Sequence, residues 1–168
     1  APEAGPSGVP IDAHFATVTQ EFHIGMASMA TRGYVLLVNP AAGDLCRDAL
    51  KADPKNWQFL QLMAMILNEA GLVDQALPFL QRCLQIRGAD SAVLFNYGVV
   101  LRNMYRFVQA VRAFRHAAEA SPERFDCWFN LGETLSRLGR FEEAAEALGK
   151  AAAIEPDNPD AWFNLGNA

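Results

Sequence analysis

The sequence predicts an all-α solenoid of antiparallel helix pairs, and three observations carry that prediction. Residue types recur every 34 positions, a period typical of stacked supersecondary units of about 20–50 residues. Asn56, Asp90 and Asn158 stand in one register, as helix N-caps should. Gly71 and Gly139 share another, where a turn between helices needs positive φ. The recurring columns are Gly98, Gly132 and Gly166; Asn96, Asn130 and Asn164; Pro122 and Pro156; and Ala42, Ala76, Ala110 and Ala144.

The first part of the chain carries the weakest signals. Residues 1–10 contain three prolines and two glycines and are predicted to be a flexible lead-in; they lack the basic and apolar regions of a signal peptide. Residues 11–56 are predicted to hold a lead-in helix capped by Asp12 and a degenerate copy whose second helix is Ala41–Ala52. The conformation of residues 33–39 stays open, because this β-branched stretch would suit a strand in isolation.

Three full copies follow, at 57–90, 91–124 and 125–158, and a truncated copy occupies 159–168. Each full copy is predicted to be two antiparallel helices. Pro159 suits the first helical position, where its missing N–H costs nothing. The glycine and alanine columns are predicted to lie where the two helices of a copy touch, because a larger side chain would hold them apart.

The copies resemble the tetratricopeptide repeat family over about residues 23–168. The resemblance implies a right-handed superhelical solenoid whose first helices line a concave groove. It rests on several motif positions in register. In 125–158 these are Trp128, Leu131, Gly132, Ala144, Leu148, Ala151 and Pro156, and in 91–124 they are Leu94, Tyr97, Gly98, Ala110, Phe114, Ala117 and Pro122.

The resemblance also implies which side chains face the groove. An asparagine offers both donors and an acceptor, so a column of asparagines could hold the backbone of an extended peptide; it could equally brace neighbouring copies. The phenylalanines could supply apolar area to a ligand or form part of the core. The expected binding residues are Phe95, Asn96, Arg102, Phe129, Asn130, Glu133, Arg137, Phe163 and Asn164, with Asn103, Ser136 and Asn167 on the same face.

The upstream groove is expected to be more apolar. Ser28 and Leu62 replace asparagine there, and Met65 lies nearby. This half could take an amphipathic helix or be covered by residues 11–22 or by a second subunit. Met63 is expected in the core.

Composition and motifs argue against several functions. Net charge is −5 with no cluster of Lys or Arg, which disfavours nucleic acid as a partner. No apolar stretch is long enough for membrane insertion. The histidines and the Glu142, Glu143 and Glu146 group form no catalytic or metal-binding pattern, so we expect no catalysis, metal or cofactor. The histidines are His14, His23 and His116.

The cysteines form no CxxC pair. Cys46, Cys83 and Cys127 are expected to act as small buried hydrophobes, which suits a reducing compartment, and we expect a cytoplasmic protein.

The function expected from the sequence is a non-catalytic protein-interaction module that binds a peptide or partner protein in the groove. Three alternatives stay open. The chain could be the substrate-recognition region of a larger bacterial protein with a glycosyltransferase or sulfotransferase domain beyond residue 168. It could be a secretion-type chaperone, or a scaffold that self-associates through its open C-terminal copy.

Overall fold

The computed structural model describes residues 40–167, and every regular element in that range is an α-helix. The all-α prediction is therefore confirmed. The predicted lead-in, the helix capped by Asp12 and the stretch 33–39 lie outside the described residues. The helices are α1 (Pro40–Ala52), α2 (Trp57–Glu69), α3 (Val73–Arg87), α4 (Ser91–Asn103), α5 (Phe107–Ala120), α6 (Phe125–Arg137), α7 (Phe141–Ile154) and α8 (Pro159–Gly166).

The chain divides into two compact units, with the boundary in the sequence between Ile86 and Arg87. The first unit is organised around α2. Asn56 caps this helix by accepting a hydrogen bond from the Phe59 backbone N–H at 3.3 Å. Apolar side chains of α1 and α2 form one buried cluster, against which Phe79 of α3 packs. Its members are Cys46, Phe59, Leu62, Met63 and Ile66.

The second unit repeats one arrangement. α4 pairs with α5, α6 pairs with α7, and α8 packs on α7. Asp90 caps α4 through the N–H groups of Ala92 and Val93, and Asn158 caps α8 in the same way. The N-cap predictions are thus confirmed at these positions. Arg124, at the same register before α6, makes no side-chain cap.

The turns inside the helix pairs require a left-handed backbone. Gly71 has φ +76° and Gly139 has φ +71°, which glycine adopts without steric cost. In the middle copy Tyr105 holds the same place at φ +59°. An L-residue there costs about 1–2 kcal/mol, so this turn is strained.

The glycines at positions 98 and 132 lie where the two helices of a pair touch, as predicted, and a larger side chain there would clash. A Cβ added to Gly132 would lie 2.6 Å from Leu148 Cγ on the partner helix, and one added to Gly98 would lie 2.7 Å from Phe114 Cε1. Ala110 and Ala144, on the partner helices, are fully buried. Within the described residues, nothing lies within 4 Å of a Cβ added to Gly166.

All the cysteines are buried, as expected from the sequence. Cys46, Cys83 and Cys127 have no exposed surface. Burial raises the pKa of Cys46 to about 12 and that of Cys127 to about 11, so the reactive thiolate is scarce. The Cys83 thiol contacts the Trp57 carbonyl oxygen at 3.3 Å.

We therefore expect the folded protein to resist thiol reagents. At about pH 8, a disulfide-exchange reagent should release almost no chromophore from the native chain and three equivalents after full denaturation. Rapid release of even one equivalent from the native protein would show that a cysteine is more accessible than its burial implies.

Candidate functional site

The expected binding residues of the second unit lie on α4, α6 and α8, whose aligned faces we call the first-helix face. The structure brings three of these residues together. Arg102 Nη1 donates a hydrogen bond to Asn130 Oδ1 at 2.6 Å and lies 3.4 Å from Glu133 Oε2. These bonds join α4 to α6. Burial lowers the pKa of the Arg102 guanidinium; the charge of Glu133 opposes that shift, and the nearby charge of Arg137 adds to it.

The amide of Asn130 is engaged at both ends inside the protein. Its Nδ2 donates to the Asp126 carbonyl oxygen of its own helix at 2.8 Å, while its Oδ1 accepts from Arg102. One amide hydrogen of Nδ2 stays available. In this geometry Asn130 braces two copies.

Asn164 is held differently, although it belongs to the same column. Its Nδ2 donates to the Asp160 carbonyl oxygen at 2.9 Å, and the described residues place no donor on its Oδ1. The residue corresponding to Arg102 is Ser136, whose hydroxyl donates to the Gly132 carbonyl oxygen of its own helix at 3.1 Å. On the same helix, Asn167 Nδ2 donates to the Phe163 carbonyl oxygen at 2.8 Å. No described residue donates to the Oδ1 atom of Asn164 or of Asn167, so the first-helix face offers asparagine oxygens as acceptors on α8.

The phenylalanine column also differs from copy to copy. Phe95 packs against the buried Phe114, with ring centroids 5.7 Å apart. Phe129 stacks on Phe125 at 5.3 Å with an interplanar angle of 21°. Phe163 is 72% exposed. Phe95 is thus largely structural, whereas Phe163 presents a free ring.

The sequence did not predict the contacts of Arg124, which lies just before α6. Its guanidinium lies 5.2 Å from the Phe95 ring centroid, and its Nε donates to Asp126 Oδ1 at 3.1 Å. A cation over an aromatic ring stabilises the contact by about 0.5–1 kcal/mol or more. The signal was present, because Arg124 interrupts a column that otherwise holds N-cap residues.

Two tryptophans, 34 positions apart, fix α6 and α8 to the loops that precede them. Trp128 Nε1 donates to the Pro122 carbonyl oxygen at 2.9 Å, and Trp162 Nε1 donates to that of Pro156 at 2.8 Å. Lys150 Nζ lies 4.2 Å from the Trp128 ring centroid. These contacts position the first-helix face and leave the tryptophans a structural role.

The acidic group on α7 is not a carboxylate pair. Glu143 accepts hydrogen bonds from Arg140 Nε at 2.7 Å and from Arg115 Nη2 at 2.9 Å, and these bonds lower its pKa. His116 is exposed on α5. Residues 40–167 contain no group of His, Cys, Asp and Glu that could hold a metal ion.

The apolar upstream groove needs one correction. Leu62 is only 6% exposed and belongs to the core cluster of the first unit, so it does not line an open surface. Leu62, which the repeat register assigns to the groove, shares this cluster with Cys46 of α1 and Phe59 of its own helix. Met63 is buried, as expected, and Met65 packs against the same cluster.

Family models match the C-terminal third of the chain. Residues 132–168 match a TPR repeat model, and residues 113–146 match a tetratricopeptide repeat model. A search of curated proteins returned no match. In the described residues, no helix has the length and hydropathy to cross a membrane.

Several solved structures share the fold. One of MamA has a TM-score of 0.72 at 21% identity, covering 83% of this chain and 80% of MamA. The pilF protein of Pseudomonas aeruginosa has a TM-score of 0.74 at 21% identity, covering 93% of this chain and 68% of pilF. YrrB, described as a TPR protein with an unusual peptide-binding site, has a TM-score of 0.67 at 30% identity; the match covers 73% of this chain and 63% of YrrB.

Proposed function

Because this chain is built from tetratricopeptide repeats, a protein-interaction fold, we propose that it is a non-catalytic module that binds an extended peptide segment of a partner on its first-helix face. The exposed Phe163 ring beside Asn164 and Asn167 is the observation that carries the proposal. The likeness to YrrB, whose description names a peptide-binding site, supports it.

The side chains of α8 suit the backbone of an extended peptide. Hydrogen bonds to the helix fix the amide nitrogens of Asn164 and Asn167, so each Oδ1 is already oriented before a ligand arrives. Such an oxygen accepts a peptide N–H, and the second amide hydrogen donates to a peptide carbonyl. Pre-organisation lowers the entropy lost on binding. The Phe163 ring then covers one side chain of the peptide.

We place the contact mainly on α6 and α8. Arg137 is exposed at the end of α6, and Phe129 has a half-buried ring stacked on the same helix. Asn130 contributes only its spare amide hydrogen, because Arg102 occupies its oxygen. The remaining expected residues support this surface: Phe95, Asn96 and Arg102 from α4, and Glu133 from α6.

The proposal is tested with peptides selected from a random displayed library on the full chain. We expect Phe163→Ala and Asn164→Ala each to weaken the selected peptides roughly tenfold, which corresponds to about 1.4 kcal/mol. Phe141→Ala is the matched control, because Phe141 is a similarly exposed phenylalanine on α7. If the control loses affinity and the α8 variants keep it, the peptide binds elsewhere.

Replacing Asn130 and replacing Asn164 should also have different effects on the free energy of unfolding. Asn130→Ala removes a charge-assisted hydrogen bond and leaves the half-buried Arg102 with fewer partners, so we expect a loss of about 1–2 kcal/mol in the free energy of unfolding. Asn164→Ala should change it by less than about 0.5 kcal/mol. Chemical denaturation of both variants measures the difference. Equal losses would mean that Asn130 is not a brace.

A further inference from the structure

One edge of the second unit exposes large apolar side chains beside unpaired arginines. This turn edge is formed by the turns inside the helix pairs, residues 103–109 and 137–143. Tyr105 is 79% exposed, Val108 54% and Phe141 53%. Arg106 and Arg137 are exposed, and no described residue forms a hydrogen bond or ion pair with either side chain.

Tyr105 is the unusual member of this surface. It stands in the left-handed conformation that glycine adopts in the other two turns, and its ring makes an edge contact with Phe107 at 5.9 Å. Most of the ring still faces solvent. The backbone of Tyr105 is strained, yet its exposed side chain makes few contacts that would stabilise the fold. This combination indicates a role for Tyr105 other than folding.

The opposite edge of the second unit exposes mainly carboxylates, whose charge is opposite to that of the arginines on the turn edge. This connecting edge is formed by the loops that join successive helix pairs, residues 119–126 and 155–160. Its exposed carboxylates without a salt bridge to a described residue are Glu119, Glu123, Glu155, Asp157 and Asp160, of which Glu155 accepts a hydrogen bond from Asn158 Nδ2 at 2.9 Å. Its exposed prolines are Pro122, Pro156 and Pro159. An open hollow there is lined by residues 154–160.

We propose that the turn edge docks onto the connecting edge of a second copy of this chain. The free arginines of one molecule then face the free carboxylates of the other, and the Tyr105 and Phe141 rings lie against its prolines. Complementary charges of this kind guide association and fix its register.

One molecule cannot satisfy both edges by itself. They lie at opposite ends of helices such as α6, which has 13 residues and is therefore roughly 20 Å long. The contact joins two different surfaces, so it is heterologous and can extend from molecule to molecule. It uses neither Asn164 nor Phe163. It shares Arg137 with the proposed peptide site, so the charge test uses Arg106, which lies outside that site.

The test is sedimentation of the full chain over a range of concentrations at low and high salt. We expect the weight-average mass to rise with concentration at low salt and to fall towards the monomer in about 1 M NaCl, where charges are screened within about 3 Å. Arg106→Glu and Asp157→Arg should each weaken association roughly tenfold or more. An equimolar mixture of these two variants should recover it, because the reversed charges again oppose each other.

Tyr105→Gly separates docking from folding. Glycine fits the turn without strain, so this variant should fold at least as well as the parent by circular dichroism and yet associate less. A parent chain that stays monomeric at every concentration overturns the proposal. So does association that both charge variants retain, or a mixture that recovers nothing.

Discussion

Replacing Gly132 by alanine should destabilise the second unit by about 1–3 kcal/mol, although alanine is the better helix former by about 1 kcal/mol. The added Cβ would lie 2.6 Å from Leu148 Cγ and 3.2 Å from the Ala144 carbonyl oxygen. The Leu148 side chain is fully buried, so it has little room to shift. The Ala144 carbonyl belongs to the backbone of α7 and cannot move without moving the helix. The midpoint of chemical denaturation measures the loss. Gly132→Leu should lose more.

Gly149→Ala is the matched control. Gly149 lies inside α7, and no described atom is within 4 Å of an added Cβ. This variant should gain up to about 1 kcal/mol from helix propensity alone. Gly166→Ala, in the same column as Gly132 but with no close neighbour in the described residues, should not be destabilised either. A Gly132→Ala protein as stable as its parent would contradict the packing of α6 on α7.

Phe114→Ala should lower the free energy of unfolding by about 3–5 kcal/mol, the largest loss that we expect from a single truncation in the second unit. The Phe114 ring is fully buried, fills the space beside Gly98 and packs against Phe95. Its removal leaves a cavity between α4 and α5 and takes a partner from Phe95. Denaturation followed by circular dichroism measures the effect.

Val108→Ala on the same helix provides the comparison. Val108 is 54% exposed, so its truncation should change stability by less than about 0.5 kcal/mol. If both variants lost the same free energy, the Phe114 position would not be a core position and the register of α5 would be wrong.

The features that the sequence predicted correctly are those set by local backbone needs and by repetition. Asn56, Asp90 and Asn158 are caps because the first N–H groups of a helix need an acceptor. Gly71 and Gly139 hold turns that require positive φ. Such requirements act within a few residues, and the 34-residue period repeats them, so each copy strengthened the interpretation of the others.

The contacts that escaped the sequence depend on side chains 28 or more positions apart. Arg102 reaches Asn130, and Arg124 lies over Phe95, only because neighbouring copies stack at a particular spacing. Periodicity assigns equivalent residues to equivalent places, and so it treated Asn130 and Asn164 as one ladder. The exchange of arginine for serine in the preceding helix makes them different.

Leu62 shows the opposite failure. The register placed it on the groove, whereas its packing with Cys46 and Phe59 makes it part of a core. A repeat register averages over copies and does not describe how the side chains of one particular copy pack.

Chemical-shift mapping with a selected peptide tests the central claim most directly. The amide resonances of the isotopically labelled chain would be followed as the tightest library-selected peptide is added. Binding on the first-helix face predicts perturbations centred on α6 and α8, strongest around Phe163, Asn164 and Arg137, with smaller ones on α4. Perturbations confined to α5, α7 and the turn residues 103–109 and 138–143 would contradict it.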